Sequence, residues 1–472
     1  MKTILDIIQA KKEKLYATCN GHKTCGKCKI KVLENLSITQ EESRFLTQKE
    51  IDEGVRLACC HEYLPDMHYE ILNQDMDILE DISVDDLSDL KEEGNGLIVD
   101  IGTTTVVMKW ISLINGESLK TVSFRNPQAV YGGDVISRID YSSSHPHVLN
   151  QVLIEQLERN IQENIDFNIK RMIVCGNTVM THLFIDCDIS SLGHVPFDIP
   201  IPSTVHINSS QIFKTLTKTF DILTFPHIAA FVGGDITSGI LALNIDQSID
   251  DKMLVDLGTN GEIVVGNKEK IITTSTAAGP AFEGVGIACG GPSIPGAITE
   301  VKINDRHIEY KTIANQTAQS ICGSGLISLI AELRRKDIID DMGRFTSPID
   351  KWNITENIYI TRKDIQSFQL AKAAIQAGVT SLLQENGEVS EIYISGGFGA
   401  HVHIEDLIEL KIFPEQYLEK IKNVKNSALS GAYVLLRTQD DKRLDQIIDK
   451  SQNINLASYP DFDDLLVEGL YF

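Results

Sequence analysis

The sequence predicts an α/β protein of two similar lobes, preceded by a small α+β domain that holds a metal cofactor. Its 472 residues suffice for about three packed units at roughly 100–200 residues per domain. A strand-turn-strand segment that carries an aspartate occurs twice, near residues 96–108 and 254–265, and cysteines cluster within the first 60 residues. The predicted division is a first domain at 1–74, a linker at 75–95 and lobes at 96–250 and 251–472.

Composition and charge exclude several classes of protein. Hydrophobic residues make up 42% and charged residues 23%, which is typical of globular proteins. With 43 Lys and Arg against 66 Asp and Glu the net charge is −23, so nucleic acid is not an expected partner. No apolar run reaches the ~20 residues of a membrane span, and the first ten residues lack the long apolar segment of a signal peptide. We therefore expect a cytoplasmic protein without a membrane partner.

The first domain carries a cysteine pattern typical of iron-sulfur binding. The spacing C-x5-C-x2-C-x30-C is formed by Cys19, Cys25, Cys28 and Cys59. It is one residue longer than the plant-type spacing C-x4-C-x2-C…C, which binds a 2Fe-2S cluster through four thiolates. A zinc knuckle is the alternative, but zinc sites usually pair two C-x2-C units, and only Cys25 and Cys28 have that separation. The neighbouring Cys60 competes with Cys59 as the fourth ligand.

The flanking residues resemble those of ferredoxins. Residues 29–33 alternate like a strand, and residues 47–56 have the pattern of a helical segment and a return before the last ligand. The phrase Arg56-Leu-Ala-Cys59 resembles the signature of adrenodoxin-like ferredoxins and favours Cys59 over Cys60. The chain begins at the helix before the first cysteine, which predicts a truncated β-grasp fold. Because four cysteines complete the ligand set, His22 and His61 are interpreted as surface histidines.

The linker at 75–95 is strongly acidic. Residues 75–93 contain nine acidic residues and one lysine and are followed by Gly94-Asn-Gly96. Charge repulsion and glycines predict a tether between domains, with a helix that has a solvated acidic face as the alternative.

The two repeated segments predict phosphate-binding hairpins. Each places a carboxylate at a strand end, then a glycine that allows close backbone approach, then hydroxyl or amide donors for phosphate oxygens. The first carries Asp100 with Gly102, Thr103, Thr104 and Thr105, and the second carries Asp256 with Gly258, Thr259, Asn260 and Gly261. Asp100 and Asp256 are the predicted catalytic residues, and the first can hold Mg²⁺ through water.

A glycine-rich turn follows the two hairpins in sequence. A strand-like segment at 391–395 runs into Gly396 and Gly397, which we expect to admit a flat nucleoside. Two hairpins followed by such a turn resemble the superfamily of actin, Hsp70 and sugar kinases. The resemblance covers residues 96–472 and implies two RNase-H-like lobes with ATP and Mg²⁺ in the cleft between them.

The combination of the two parts resembles the ATP-dependent reductive activators of corrinoid proteins. The phrases that carry the resemblance are N-P-Q at 126–128, G-G-D-V-I-S-R at 132–138, G-N-T at 176–178, A-G-P-A-F-E-G at 278–284 and C-G-S-G-L at 322–326. It implies an ATP-hydrolysing electron-transfer protein of anaerobic metabolism. The 2Fe-2S cluster would pass an electron to cobalt(II) of a corrinoid protein in a methyltransferase system, regenerating cobalt(I), and a low-potential donor would reload the cluster.

Two other functions remain open at this stage. A sugar or carboxylate kinase with an accessory cluster would need a carboxylate base, for which Asp134 or Asp235 could serve. A redox-sensing, ATP-dependent scaffold of the actin or Hsp70 type is the non-catalytic alternative. The sequence leaves the oligomeric state open, a homodimer included.

Overall fold

The computed structural model describes most of the chain. The described residues are 2–11, 15, 23, 26, 28–34, 36–46, 48–64, 67–72, 92–164, 166–258, 260–304, 307–397 and 402–472. Predictions made for Cys19, His22, Cys25, Thr259 and most of the linker at 75–95 fall outside them. Within these ranges, no helix has both the length and the apolar character that a membrane crossing requires.

The first domain has a small antiparallel sheet with its own apolar core. Its elements are α1 (Ile4–Ala10), β1 (Lys29–Val32), α2 (Gln48–Asp52), β2 (Val55–Leu57) and β3 (Tyr69–Ile71). The sheet order is β2-β1-β3, with both neighbours antiparallel to β1. Side chains from α1 and from the sheet pack together in one cluster, so the predicted strand and helix of this domain are confirmed.

The first lobe is a six-stranded mixed sheet with helices. Its elements are β4 (Asn95–Ile101), β5 (Thr105–Ser112), β6 (Ser118–Arg125), α3 (Val135–Ser144), α4 (Val148–Glu163), β7 (Ile169–Gly176), α5 (Thr178–Phe184), β8 (Val205–Asn208), α6 (Ser209–Ile212), β9 (Asp221–Thr224) and α7 (Gly234–Ala242). The sheet order is β6-β5-β4-β7-β9-β8.

The second lobe repeats this plan and adds smaller sheets. Its elements are β10 (Lys252–Leu257), β11 (Gly261–Gly266), β12 (Ile271–Thr276), β13 (Ala297–Asn304), β14 (His307–Thr312), β15 (Ser320–Ile321), α8 (Gly323–Arg335), β16 (Lys351–Asn353), β17 (Tyr359–Thr361), α9 (Arg362–Asn386), β18 (Glu391–Ser395), α10 (Ile404–Glu409), β19 (Ile421–Asn423), α11 (Ser427–Thr438), α12 (Lys442–Lys450), β20 (Ser451–Asn453) and α13 (Phe462–Glu468). The main sheet has the order β19-β18-β10-β11-β12-β20.

The two main sheets share one topology. In each, three antiparallel strands (β4 to β6, β10 to β12) are extended by two parallel strands on the side of the first (β7 and β9, β18 and β19). This arrangement confirms the predicted pair of RNase-H-like lobes.

A pair of helices joins the lobes. α7 and α11 pack against each other, and their apolar side chains share one core with residues of both sheets. α11 follows β19 of the second sheet in sequence but packs on β4 and β7 of the first sheet. The approach is close, because a Cβ on Gly431 would lie 1.9 Å from the carbonyl oxygen of Ser238. Only glycine at position 431 permits this contact.

Candidate functional site

The aspartates of the two repeated hairpins lie on facing sides of the two sheets. Side chains alternate between the faces of a strand, so Asp100 shares a face with Ile98, and Asp256 with Leu254. Ile98 and Leu254 both pack in the core around α7 and α11 between the sheets. Each aspartate therefore stands where its strand leaves this core and the cleft between the lobes begins.

Hydrogen bonds at the start of α11 connect the two aspartates. The Asn426 side-chain amide donates to Asp100 Oδ2 at 2.9 Å. The hydroxyls of Ser427 and Ser395 are 2.8 Å apart, and Ser395 in turn hydrogen-bonds to Asp256. One helix end thus fixes the predicted pair of carboxylates across the two lobes.

Two further carboxylates belong to this cleft. Asp235 lies in the first turn of α7, and Glu262 lies directly opposite Asp256 in the β10–β11 ladder. Burial raises the pKa of Asp235 to about 7, and the charges of Asp256 and Asp100 raise it too. Burial and the charges of Asp235 and Asp256 hold the pKa of Glu262 well above its usual range. The cleft therefore has four carboxyl groups that influence one another.

The pKa values of Asp100 and Asp256 are raised as well. Burial raises the pKa of Asp100 to about 6; the bond from Asn426 opposes this, and the charge of Asp256 adds to it. Burial raises the pKa of Asp256 to about 6 against the bond from Ser395. Perturbed carboxyl groups in a cleft are typical of functional sites. Within the described ranges, no three His, Cys, Asp or Glu side chains are placed to hold a metal by themselves.

Sequence reasoning assigned no role to Glu262 and considered Asp235 only for the kinase alternative. A signal for Glu262 exists in the hairpin itself, because a three-residue turn places it opposite Asp256 on the same face. The position of Asp235 depends on the packing of α7 between the lobes, which no local pattern specifies. Asp134, the other candidate base, is exposed and accepts the Ser137 N–H at the start of α3, so it is a helix cap.

The two hairpins are similar but not identical. Ile101 pairs with Val106, whereas Leu257 pairs with Gly261, so the first turn is one residue longer. The Gly102 N–H donates to the Thr105 carbonyl at 2.9 Å. Gly102, Thr103, Thr104 and Thr105 are all partly accessible, as are Gly258 and Asn260, whereas Gly261 is buried.

The glycine turn after β18 has a packing reason of its own. Gly396 has φ 104°, and a Cβ there would lie 2.2 Å from the Leu257 carbonyl oxygen. Gly176 at the end of β7 has the same relation to Ile101, at 2.4 Å. Gly397 is exposed and has open space at its Cβ position. That Gly396 and Gly397 border a nucleoside stays a prediction.

The cysteine site of the first domain is partly described. Cys28 precedes β1 and Cys59 follows β2, and antiparallel pairing of these strands brings the two buried thiols to 3.3 Å. Two ligands of one tetrahedral metal with metal–sulfur bonds of about 2.3 Å would be about 3.8 Å apart. The Cys60 sulfur is 3.9 Å from that of Cys59. Cys28 and Cys59 thus lie somewhat closer together than two ligands of one metal would, and Cys59 and Cys60 lie at about that separation. That Cys28 and Cys59 are cluster ligands stays a prediction.

The interpretation of His61 as a surface residue is wrong. His61 is buried, and its Nε2 lies 2.8 Å from Oε1 of the fully buried Glu42. The same Glu42 oxygen accepts the Leu57 N–H at 2.7 Å. Arg56 is buried as well and donates to the carbonyls of Leu36, Ile51 and Val55. These groups anchor the segment that carries Cys59.

Fold and site together define a two-lobed protein of the nucleotide-cleft class with a ferredoxin-like domain on the same chain. The comparisons with known proteins agree. A 2Fe-2S iron-sulfur cluster binding domain matches residues 1–62, the RACo middle region matches 95–248, and the C-terminal ASKHA domain of RACo matches 250–472.

Named relatives place the chain in one family. It is 31% identical over 407 residues to the corrinoid activation enzyme RamQ of Eubacterium limosum, covering 78% of this chain and 68% of that protein. It is 29% identical over 398 residues to the Co(II) methylated amine-specific corrinoid protein reductase of Methanosarcina barkeri, covering 76% and 72%. The solved structure of a reductive activator for corrinoid, iron-sulfur protein has a TM-score of 0.72 at 27% identity, with 100% and 95% covered. The chain belongs to the RACo family of corrinoid-activating proteins.

Proposed function

We propose that this protein reductively activates a corrinoid protein, passing one electron from a 2Fe-2S cluster to cobalt(II) and hydrolysing ATP in the process. The observation that carries the proposal is that one chain joins a ferredoxin-type thiol site to a carboxylate-lined cleft between two RNase-H-like lobes. The reaction of a kinase does not require the thiols, and electron transfer by an isolated ferredoxin does not require the cleft. The product, cobalt(I), is the form that accepts a methyl group in a methyltransferase system.

The cleft suits a nucleotide that arrives with magnesium. Four carboxylates repel bare phosphates, so a cation has to lie between them. Mg²⁺ is usually held by one or two carboxylates together with substrate phosphates and water. Asp100 and Asp256, held through Asn426 and Ser395, are the side chains suited to this role. Asp235, whose pKa is raised to about 7, is suited to orient and deprotonate the attacking water.

The cluster would be held by Cys19, Cys25, Cys28 and Cys59. When bound, it supplies one electron at a time at a potential near −400 mV, which is typical of plant-type ferredoxins. Burial of Cys28 and Cys59 shields one side of the site from water. An external low-potential donor has to restore the electron after each transfer.

ATP is needed because the transfer is uphill. Reduction of cobalt(II) to the strongly nucleophilic cobalt(I) requires a potential below that of the cluster. At 59 mV per factor of ten, a gap of about 100–200 mV costs about 2–5 kcal/mol. Differential binding of this size between two states of a clamp is attainable. In our proposal the nucleotide-bound clamp holds the corrinoid protein in a form with a weaker axial cobalt ligand, and hydrolysis to ADP and phosphate releases it.

The test is anaerobic mixing of the reduced protein, Mg²⁺-ATP and a cobalt(II) corrinoid protein while the cobalt(I) absorption is followed. The wild-type protein should produce cobalt(I) only with ATP. Asp256→Asn should bind nucleotide but lose most of the hydrolysis and reduction, because a group that positions metal or water is removed. Asp134→Asn is the matched control: asparagine caps a helix as well as aspartate, so activity should stay at the wild-type level.

Failure to form cobalt(I) with a reduced cluster and active ATP hydrolysis would refute the proposal. ATP turnover that responds to sugars and not to corrinoid protein would favour the kinase alternative. Turnover that responds only to oxidation of the cluster would favour the scaffold.

A further inference from the structure

Donors from the protein interior occupy three consecutive carbonyls of the first hairpin. The side-chain amide of Asn126 donates to the Gly102 carbonyl at 2.8 Å, and the backbone N–H of Asn126 donates to the Thr104 carbonyl at 2.8 Å. The Arg138 guanidinium donates to the Thr103 carbonyl between them at 2.5 Å. Asn126 and Arg138 are both fully buried. They come from the N-P-Q and G-G-D-V-I-S-R phrases, to which the proposed function assigns no role.

Because the peptide group is planar and trans, these hydrogen bonds also fix the direction of the N–H groups in the hairpin. In a trans peptide the carbonyl and the following N–H point in opposite directions. With the Gly102 and Thr103 carbonyls directed to the buried side, the N–H groups of Thr103 and Thr104 point to the opposite side. Both threonines are partly accessible, so a ligand can reach this turn. Successive N–H groups that converge on one side form an anion-binding concavity.

Arg138 is unusual in the chemistry of its contacts. Its acceptors are the carbonyls of Thr103 and Gly132, the side-chain oxygen of Gln128 and the sulfur of Met180, none of which carries a charge. Burial lowers its pKa to about 9, with an opposing effect of Asp134. A buried cation without a bonded carboxylate is costly. An anion bound on the other side of the hairpin offsets part of that cost.

We infer that Asn126 and Arg138 are positioning residues for the phosphates of the nucleotide, acting through the first hairpin. They keep its carbonyls away from the ligand and its N–H groups towards it, and Arg138 adds a positive charge behind the phosphate site. The inference rests on the proposed function, since it requires nucleotide in the cleft. The inference predicts that Asn126 and Arg138 contribute to the affinity for ATP, which has phosphates, and not to the affinity for adenosine, which has none.

The experiment compares the affinities of Mg²⁺-ATP and adenosine by titration calorimetry. Arg138→Met should weaken ATP binding at least about tenfold, the effect of losing one charge-assisted hydrogen bond, and leave adenosine within about twofold. Arg138→Lys keeps the charge without the fork and should recover part of the loss. The Asn126 side chain also accepts the Gln128 N–H and so caps the 3-10 helix Pro127–Val130. Asn126→Ser keeps a cap there but cannot reach the Gly102 carbonyl, and should shift the ratio in the same direction.

Arg437→Met is the matched control. Arg437 is also buried and also donates to backbone carbonyls of this sheet, those of Ser112 and Leu113 at 3.3 Å, but at the opposite end of β5. It should lower the melting temperature and leave the ratio of ATP to adenosine affinity unchanged.

Three outcomes would overturn the inference. The first is a folded Arg138→Met protein with the wild-type ratio. The second, if that variant does not fold, is a wild-type ratio in Asn126→Ser. The third is a wild-type protein that binds no ATP, which would overturn the nucleotide cleft as well, whereas the first two leave the proposed function intact.

Discussion

Among single residues, the two thiols at the end of the β1–β2 pair are predicted to be ligands of the cluster. Cys28 and Cys59 are buried 3.3 Å apart, and Cys60 is adjacent but less buried. We expect Cys59→Ser to lose most of the iron and sulfide and the visible absorption, because serine is a poor iron ligand. Cys60→Ser should retain about two irons per chain, the content of a 2Fe-2S site.

Iron and sulfide analysis of anaerobically purified protein, with absorption spectra, checks this prediction. Loss of the cluster in Cys60→Ser with retention in Cys59→Ser would move the fourth ligand to Cys60. Zinc at one per chain without visible absorption would contradict the iron-sulfur assignment itself.

The raised pKa of Asp235 in the cleft predicts that the stability of the protein depends on pH. In the nucleotide-free protein the pKa of Asp235 is raised from 3.8 to about 7, so between these values the folded state binds more protons than the unfolded state. Stability contributed by this group is therefore present at low pH and is lost as the pH rises to about 7. Asp235→Asn removes this titrating group. The free energy of unfolding of the variant, relative to that of the wild type, should therefore increase between about pH 5 and pH 7.5.

Urea denaturation at a series of pH values, without Mg²⁺ and nucleotide, measures this difference. Asp134→Asn is the control, because Asp134 is an exposed helix cap, and its difference from the wild type should change little with pH. A pH-independent difference for Asp235→Asn would show that burial and the neighbouring carboxylates do not raise the pKa of Asp235 as described.

At the scale of elements, the contact between α7 and α11 governs how the lobes meet. A Cβ at position 431 would lie 1.9 Å from the Ser238 carbonyl oxygen, so Gly431→Ala forces the helices apart. We expect a loss of about 1–3 kcal/mol in the free energy of unfolding, the usual cost of overpacking. Because α11 also carries the cap Asn426 that holds Asp100, ATP affinity should fall as well.

Denaturation curves and nucleotide titration of Gly431→Ala test this prediction. Thr438→Ala, at the other end of α11, is the control: its hydroxyl donates to the Val434 carbonyl and accepts the Asp440 N–H, both within the same short stretch of chain. We expect that variant to change stability by less than about 1 kcal/mol and to leave ATP affinity intact. A Gly431→Ala protein as stable as the wild type would mean that the two helices are not in close contact.

For the whole molecule, the question is on which side of the electron transfer ATP acts. If the clamp changes the acceptor and not the loading of the cluster, ATP is required even when the cluster is already reduced. We therefore expect prereduced protein, freed of excess reductant, to form cobalt(I) with ATP and to form at least about tenfold less without it, as a gap of 59 mV or more implies. Equal cobalt(I) yields with and without ATP would show that ATP does not drive this step.

The parts of this protein that depend on local patterns can be predicted from its sequence alone. The repeated hairpins, the period-two alternation that places Asp100 and Asp256 on the buried side, and the β1 and α2 segments of the first domain are all visible in short stretches. Strand alternation and turn chemistry act over a few residues, so the repeated hairpins and the first two carboxylates could be predicted. The two-lobed fold was implied by the resemblance of these hairpins to those of actin, Hsp70 and sugar kinases.

The distant residues that complete the site are known only from the three-dimensional packing of the chain. Asn426 meets Asp100 across more than three hundred residues, and Asp235 joins the cleft only because α7 packs between the two sheets. His61 is buried because its imidazole hydrogen-bonds to the carboxyl group of Glu42, which lies in another segment of the chain. These contacts depend on the packing of whole helices and sheets, a sum of many weak apolar contacts that no short segment encodes.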